Sequence, residues 1–213
     1  KICYSITLVC TEKVDGSSIT IGVTPKIPEG FICSRNLRKK LTIKKVVGKR
    51  DMTFWETIKF FFGKNIDTNI YEEVENDDDF VRYGKPYLDV LLKDGTGNRI
   101  LRGELNGGKL KGSGNKNNPA SKEQANIKLF GIDKVNEYNE AEKMSYRQFK
   151  LEAEHLGFTT VKEVFVKEFN SKEEILTECN NYFKTNMIEG IVVRILDSKF
   201  SAKVMNLEYD SKK

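Results

Sequence analysis

The chain is poor in the residues on which many enzymes depend. Its 213 residues include one histidine, His155, in the stretch "LEAEHLGF". That stretch reads as a helix, where a surface or core role suffices for the residue. A single histidine gives no support to Ser–His or Cys–His nucleophile systems. The four cysteines, at positions 3, 10, 33 and 179, show no CxxC spacing. This argues against a zinc site and a disulfide framework, and points to reduced thiols in an intracellular, reducing compartment. No apolar run approaches the ~20 residues that a membrane-spanning helix needs, so no membrane partner is expected. The segment "ICYSITLVC" is too short and too polar for a signal peptide, and lacks a charged start followed by a cleavage site. Lysine, aspartate, glutamate, arginine and a metal ion remain as the means of catalysis.

Charge is abundant. Charged residues make up 31% of the chain and hydrophobic ones 38%, with 36 basic against 31 acidic side chains and a net charge of +5. The distribution is uneven: residues 1–50 hold 11 basic and 3 acidic residues, residues 51–100 hold 6 and 11. A basic first quarter suits an anionic partner such as nucleotide phosphate or nucleic acid, and equally a solvated lysine-rich surface.

The length fits one large domain or two small ones, and neither a repeat nor an interdomain linker is visible. Residues 2–24 alternate in the manner of strands, with a break at Asp15-Gly16. "GFICS" (30–34), "NRILRGEL" (98–105), "ANIKLFGIDKV" (125–135), "IEGIVVRIL" (188–196) and "FSAKVMN" (200–206) are further strands. "FWETIKFFFG" (54–63) is an apolar helix-length patch that Gly63 can end, and "SYRQFKLEAEHLGF" is an amphipathic helix stopped by Gly157. Ser171 with Glu174 forms a capping box at the start of "SKEEILTECNNYFK". "LRKKLTIKKVVGKR" is basic and fits no single pattern, "EEVENDDDF" reads as an acidic loop or helix start, and "NGGKLKGSGNKNNP" (106–119) is a long basic loop. Together these elements make a mixed α/β or α+β domain with antiparallel sheets predominating, because tight strand–strand connections dominate.

One strand carries an odd passenger. Lys13 stands between Glu12 and "VDGSS", among β-branched residues. Either the segment is an ordinary hairpin turn or the lysine has chemistry to perform. A lysine is nucleophilic only when deprotonated, and its free pKa is about 10.4; burial or a nearby cation lowers it. Three carboxylates lie in strand-like contexts beside glycine: Asp15 in "KVDG", Glu104 in "RGEL" and Glu189 in "IEGIVVR". A carboxylate in an apolar strand is costly unless it is paired or bound to metal.

"EKVDG", "CSRN", "RGEL", "LFGI", "EGIVVR" and "SAK" follow one another in the order used by covalent nucleotidyltransferases. From about Tyr4 to Asp210 the chain resembles the RNA-ligase branch of the superfamily of ATP-dependent ligases and capping enzymes. The resemblance implies an α+β, ATP-grasp-like ligase domain of mainly antiparallel sheets flanked by helices, with the nucleotide pocket between the sheets. It implies that residues 1–213 form one nucleotidyltransferase domain, any OB or accessory domain lying outside this chain.

By the same resemblance Lys13 attacks the α-phosphate of ATP and carries AMP as a phosphoramidate, with Mg2+ or Mn2+ on the phosphates. Glu12 helps hold the adenine, and Asp15 and Gly16 form the turn beside the nucleotide. Arg35 contacts ribose and phosphate, Glu104 accepts from a ribose hydroxyl and Phe130 stacks on adenine. Glu189, with Glu104, organises the metal, and Lys203 contacts the α-phosphate. Ser18, Asn36, Lys109, Lys111 and Lys116 are candidates for contact with nucleic acid. The last motif of the family usually reads Lys-x-Lys; here Ser201 takes the first place, and the tail "SAKVMNLEY" is that of some RNA ligases.

The implied function is joining of 3′-OH and 5′-phosphate RNA ends by a monomer, at a nick or on another RNA-containing strand. Capping, DNA nick sealing and a catalytically inactive nucleic-acid-binding relative are the alternatives.

Overall fold

Strands β1 (Ile6–Lys13) and β2 (Ser17–Thr24) are separated by three residues and yet lie in different sheets. The segment Val14-Asp15-Gly16 is therefore a crossing between two layers and not a hairpin turn. The computed structural model describes residues 6–95, 98–108, 110 and 118–210. Lys109, Lys111 and Lys116 fall outside the described residues, as does Cys3.

The remaining strands are β3 (Ile27–Ser34), β4 (Thr42–Lys49), β5 (Asn69–Glu75), β6 (Asn98–Asn106), β7 (Asn126–Val135), β8 (Ala141–Lys143), β9 (Glu163–Phe169), β10 (Gly190–Ile195) and β11 (Ser201–Met205). One sheet has the order β11-β10-β1-β9, the second β3-β2-β6-β7-β8, and a separate ribbon pairs β4 with β5. Every ladder between these strands is antiparallel, as the short connections predict. The helices are α1 (Phe54–Phe61), α2 (Asp79–Asp94), α3 (Tyr146–His155), α4 (Lys172–Thr185) and α5 (Leu207–Asp210), giving the expected α+β class.

The period of two decides which way each side chain points. In β1, Leu8 and Cys10 enter a core with Ile191 and Val193 of β10 and Cys179 and Phe183 of α4. Val9, Thr11 and Lys13 take the opposite face. In β2, Ile19 and Ile21 pack with Ile32 against α2, where Gly84 lets the helix approach closely, so Ser18 faces the other way. Each sheet is thus apolar on its helix side, and the side it turns toward the other mixes apolar residues such as Val9 with the polar ones that line the site.

Three local expectations change. "LRKKLTIKKVVGKR" supplies β4, and "EEVENDDDF" divides into the end of β5 and the cap of α2, whose Asp78 side chain accepts from the Phe80 N–H at 2.9 Å. In the ribbon Lys44 stands opposite Glu73 and Lys45 opposite Glu72, a cross-strand match that neither segment shows alone. At α4, Ser171 accepts from the Glu174 N–H at 3.1 Å, but the glutamate accepts from the N–H of Asn170 and not of Ser171. The box is therefore half formed there and complete at Thr53–Glu56 and Ser145–Gln148.

Candidate active site

Lys13 is the last residue of β1, and Gly190, the first of β10, is its register partner. Glu189, immediately before Gly190, is thereby brought to the lysine, and the Lys13 ammonium forms an ion pair with the Glu189 carboxylate. Glycine is required at 190 by packing: a Cβ there would lie 2.6 Å from the Val204 carbonyl oxygen of β11. Gly16 has a similar reason, since its Cβ would lie 2.6 Å from the Leu105 carbonyl oxygen and 3.0 Å from Cγ of Glu104.

A cavity of about 500 Å³ opens between the two sheets, lined by both. At the Lys13 end stand Glu12, Ser18, Arg35, Glu104 and Lys203; Val161, Val192 and Phe130 form apolar walls. A volume in this range suits a nucleotide-sized ligand. Phe130 reaches the cavity through a β-bulge. Arg102 and Gly103 of β6 pair with Gly131 and Leu129 of β7, leaving Phe130 as the extra residue. The bulge re-aims a side chain that simple alternation would bury elsewhere. Sequence alternation does not show the bulge.

The far end of the cavity is cationic: Arg102, Lys143 and Arg194 with Asp133, and Ser201 beside them. None of these except Ser201 is singled out by the motif reading. Arg102 forks onto Asp133 Oδ2 through Nε at 2.8 Å and Nη2 at 2.6 Å. Arg194 is buried at 7% exposure, its Nε has no hydrogen-bond partner, and its guanidinium lies 5.6 Å from the Tyr146 ring centroid. Burial lowers the Arg194 pKa. Arg194 follows Val192 by two residues on β10, so the alternation that places one places the other; that was the available signal.

A second cavity of about 290 Å³ shares Glu12, Lys13 and Val14 with the first and adds Asp15, Asn106, Asn118, Lys128, Lys162, Glu189 and Tyr209. Asp15 and Glu189 line this side and not the larger cavity. Asp15 is held in place: its Oδ2 accepts from the Tyr209 hydroxyl at 2.9 Å and its carbonyl from Asn118 Nδ2 at 2.8 Å. Buried Asn206 donates to the Ile188 carbonyl at 3.0 Å. The Asn and Tyr of "SAKVMNLEY" thus brace the two strand ends that carry Lys13 and Glu189. Asn36 is exposed, next to Arg35 at the rim. His155 is exposed at the end of α3, and burial pushes the Cys10 and Cys179 thiols up to about 12 and about 11. His155, Cys10 and Cys179 line neither cavity.

The carboxylates bear on metal binding. Among the described residues no group of three or more His, Cys, Asp or Glu side chains could hold a metal by itself. Glu104 nevertheless asks for a cation. Burial, with the Glu189 and Asp15 charges adding, outweighs Lys13 and Arg35 and raises its carboxyl from 4.5 to about 7. One or two carboxylates completed by water and substrate phosphates is the usual manner of Mg2+, so Glu104 and Glu189 fit an ion that arrives with a nucleotide.

The raised value has a consequence for stability. Between about pH 4.5 and about pH 7 the folded protein holds a proton on Glu104 that the unfolded chain has lost. This contribution to stability is complete below about pH 4.5 and disappears as pH rises through about 7. Urea unfolding without nucleotide or metal is expected to show Glu104→Gln gaining on the wild type as pH rises across that window. Parallel pH profiles for the two proteins would contradict the assignment.

Comparison with known proteins bears on the family and the fold. The RNA ligase family model matches residues 6–205. No curated protein sequence matches. Among solved structures, a variant of the Naegleria gruberi RNA ligase with ATP and Mn superposes with a TM-score of 0.64 at 19% identity, covering 98% of this chain and 52% of that one. Another variant of that ligase, with AMP and Mn, gives the same values. The same ligase with PPi gives 0.63 at 19%, covering 97% and 51%. The chain spans about half the length of these structures, and at such identities the likeness concerns the fold. The family match, covering nearly the whole chain and every motif around Lys13, shows that the chain belongs to the RNA ligase family.

Proposed function

We propose that this domain catalyses ATP-dependent RNA ligation through a lysyl-AMP intermediate. The observation that carries the reading is the position of Lys13. It stands where a nucleotide-sized cavity with an aromatic wall meets a second cavity, in contact with Glu189 and beside Glu104.

In this reading the adenine lies between Phe130 and Val192, and Arg35 and Glu104 hold the ribose. Glu12 and the donors of Arg194 and Lys143 meet the edge of the base. Lys203 and Arg35 steady the α-phosphate, and Glu104 and Glu189 would hold a divalent ion, which would supply neutralisation of phosphate charge. The Lys13 ammonium passes a proton to the Glu189 carboxylate, the acceptor in contact with it. The amine then forms a bond to the α-phosphorus as the bond to the β-phosphate breaks and pyrophosphate leaves. An oxygen of a 5′-phosphate then displaces the lysine to form an adenylylated end. A 3′-hydroxyl attacks that phosphate, forming the phosphodiester and expelling AMP. The partners are accordingly RNA ends and the cofactors ATP with Mg2+ or Mn2+.

Incubation with ATP labelled on the α-phosphate, in the presence of Mn2+, is expected to leave label on the denatured protein. The bond should resist alkali and yield to acid, as a phosphoramidate does. Label from GTP in place of ATP would move the reading to capping, and no label from either would overturn it.

A further inference from the structure

Helix α1 buries none of its residues. Phe54 and Trp55 are 74% and 70% exposed, and Phe61 and the capping Phe62 are both 82% exposed. The helix hangs on the β4–β5 ribbon, itself exposed along nearly its whole length, with Val46, Val47, Ile70 and Tyr71 open to solvent. The ribbon leaves the body where the Asn76 N–H donates to the Leu41 carbonyl at 3.0 Å, six residues after Arg35 of the cavity rim. Folded proteins rarely display so many large apolar side chains together without a partner.

Between Thr42 and Glu75 the arm holds six basic and six acidic residues, and the basic ones of β4 continue a run that starts at the cavity rim. From Arg35 to Arg50 there are eight basic residues and no acidic one. Lys44, Lys45, Lys49, Lys59 and Lys64 are exposed, and although Lys44 and Lys45 stand opposite Glu73 and Glu72, none of the five is within ion-pair distance of a carboxylate among the described residues. Exposed aromatic rings interleaved with exposed lysines, on an element rooted at the mouth of the cavity, match what a flexible strand of nucleotides offers. Its bases present π-faces for stacking, and its phosphates present charge at each step. A fully paired duplex hides those faces.

We propose that the β4–β5 ribbon with α1 is a docking arm for an unpaired polynucleotide segment, which stacks bases on Trp55 and its neighbouring phenylalanines and lays its backbone along Lys44, Lys45 and Lys49. The proposal rests on the ligase reading and narrows its substrate class to RNA ends that carry unpaired nucleotides beside the joint.

Trp55 is the one tryptophan in the chain, so its fluorescence reports the arm alone. Titration of the wild-type protein with a 5′-phosphorylated single-stranded oligoribonucleotide should quench it, and an equal length of blunt duplex should quench it far less. Trp55→Ala should weaken binding about tenfold or more. Replacing Lys44, Lys45 and Lys49 by alanine should lower the slope of log affinity against log salt by about two. Labelling of Lys13 by ATP should stay at the wild-type rate in both variants, which also shows that they fold. Fluorescence shifted to the blue by phosphatidylserine vesicles and unchanged by the strand would overturn the proposal in favour of a lipid surface. A change that follows protein concentration alone would overturn it in favour of a second copy. Quenching by the strand in a protein that takes no label from ATP would sustain the arm and remove the ligase reading.

Discussion

Lys13→Arg should abolish covalent labelling by ATP, with a loss of about 10⁴-fold or more. The guanidinium keeps the positive charge beside Glu189, so the ion pair and the fold should survive. It does not release a proton in a protein, and it cannot supply the lone pair that the α-phosphorus needs. A melting temperature within a degree or two of the wild type, together with no acid-labile label, is the expected pair of results. Label retained by the variant at anything near the wild-type rate would mean that another residue carries AMP. Cys10 and Cys179 are poor candidates, because burial holds both thiols protonated.

Gly190→Ala should cost about 10²-fold in the rate of labelling, although residue 190 offers no chemical group. Its methyl would meet the Val204 carbonyl oxygen at 2.6 Å, a backbone atom that cannot swing aside. Relief requires β11 to move away from β10, and β11 carries Ser201 and Lys203. The same shift disturbs the strand end that holds Glu189 against Lys13. A displacement near 1 Å between a nucleophile and the groups that orient its target is enough for a loss of this size. The labelling rate is expected to fall while Arg102, Asp133 and Lys143, carried by β6, β7 and β8, keep their places. Stopped-flow measurement of labelling over a range of ATP concentrations should therefore show the maximal rate falling more than the half-saturating concentration rises. An unchanged maximal rate would place the burden of Gly190 on stability alone.

These two variants mark the limits of sequence reading from opposite sides. The lysine announces itself by its place in "EKVDG", and the glycine's role appears only when β11 is seen against it.

The crossing at Val14-Asp15-Gly16 follows the same division. A break in an alternating run is visible in the sequence, but a hairpin and a step between sheets leave the same local mark. What decides is that β1 pairs with β10 and β2 with β6, strands many residues away. Phe130 is the middle case: its residue type suits stacking on a base, and only the bulge opposite Arg102 and Gly103 delivers it to the cavity.

The sequence by itself determined the antiparallel α+β class and the strands that bear Lys13, Glu104 and Lys203, with Glu189 immediately before another. Those features depend on periodicity of two, on glycine placement and on residue chemistry, all of which act over a few neighbours. Tertiary structure alone decided that Tyr209 and Asn118 fasten Asp15, that Arg102, Lys143 and Arg194 share one end of a cavity, and that α1 stands unburied. These are meetings of side chains and surfaces distant along the chain, and they are fixed by which strands pair and which faces the two sheets turn toward each other.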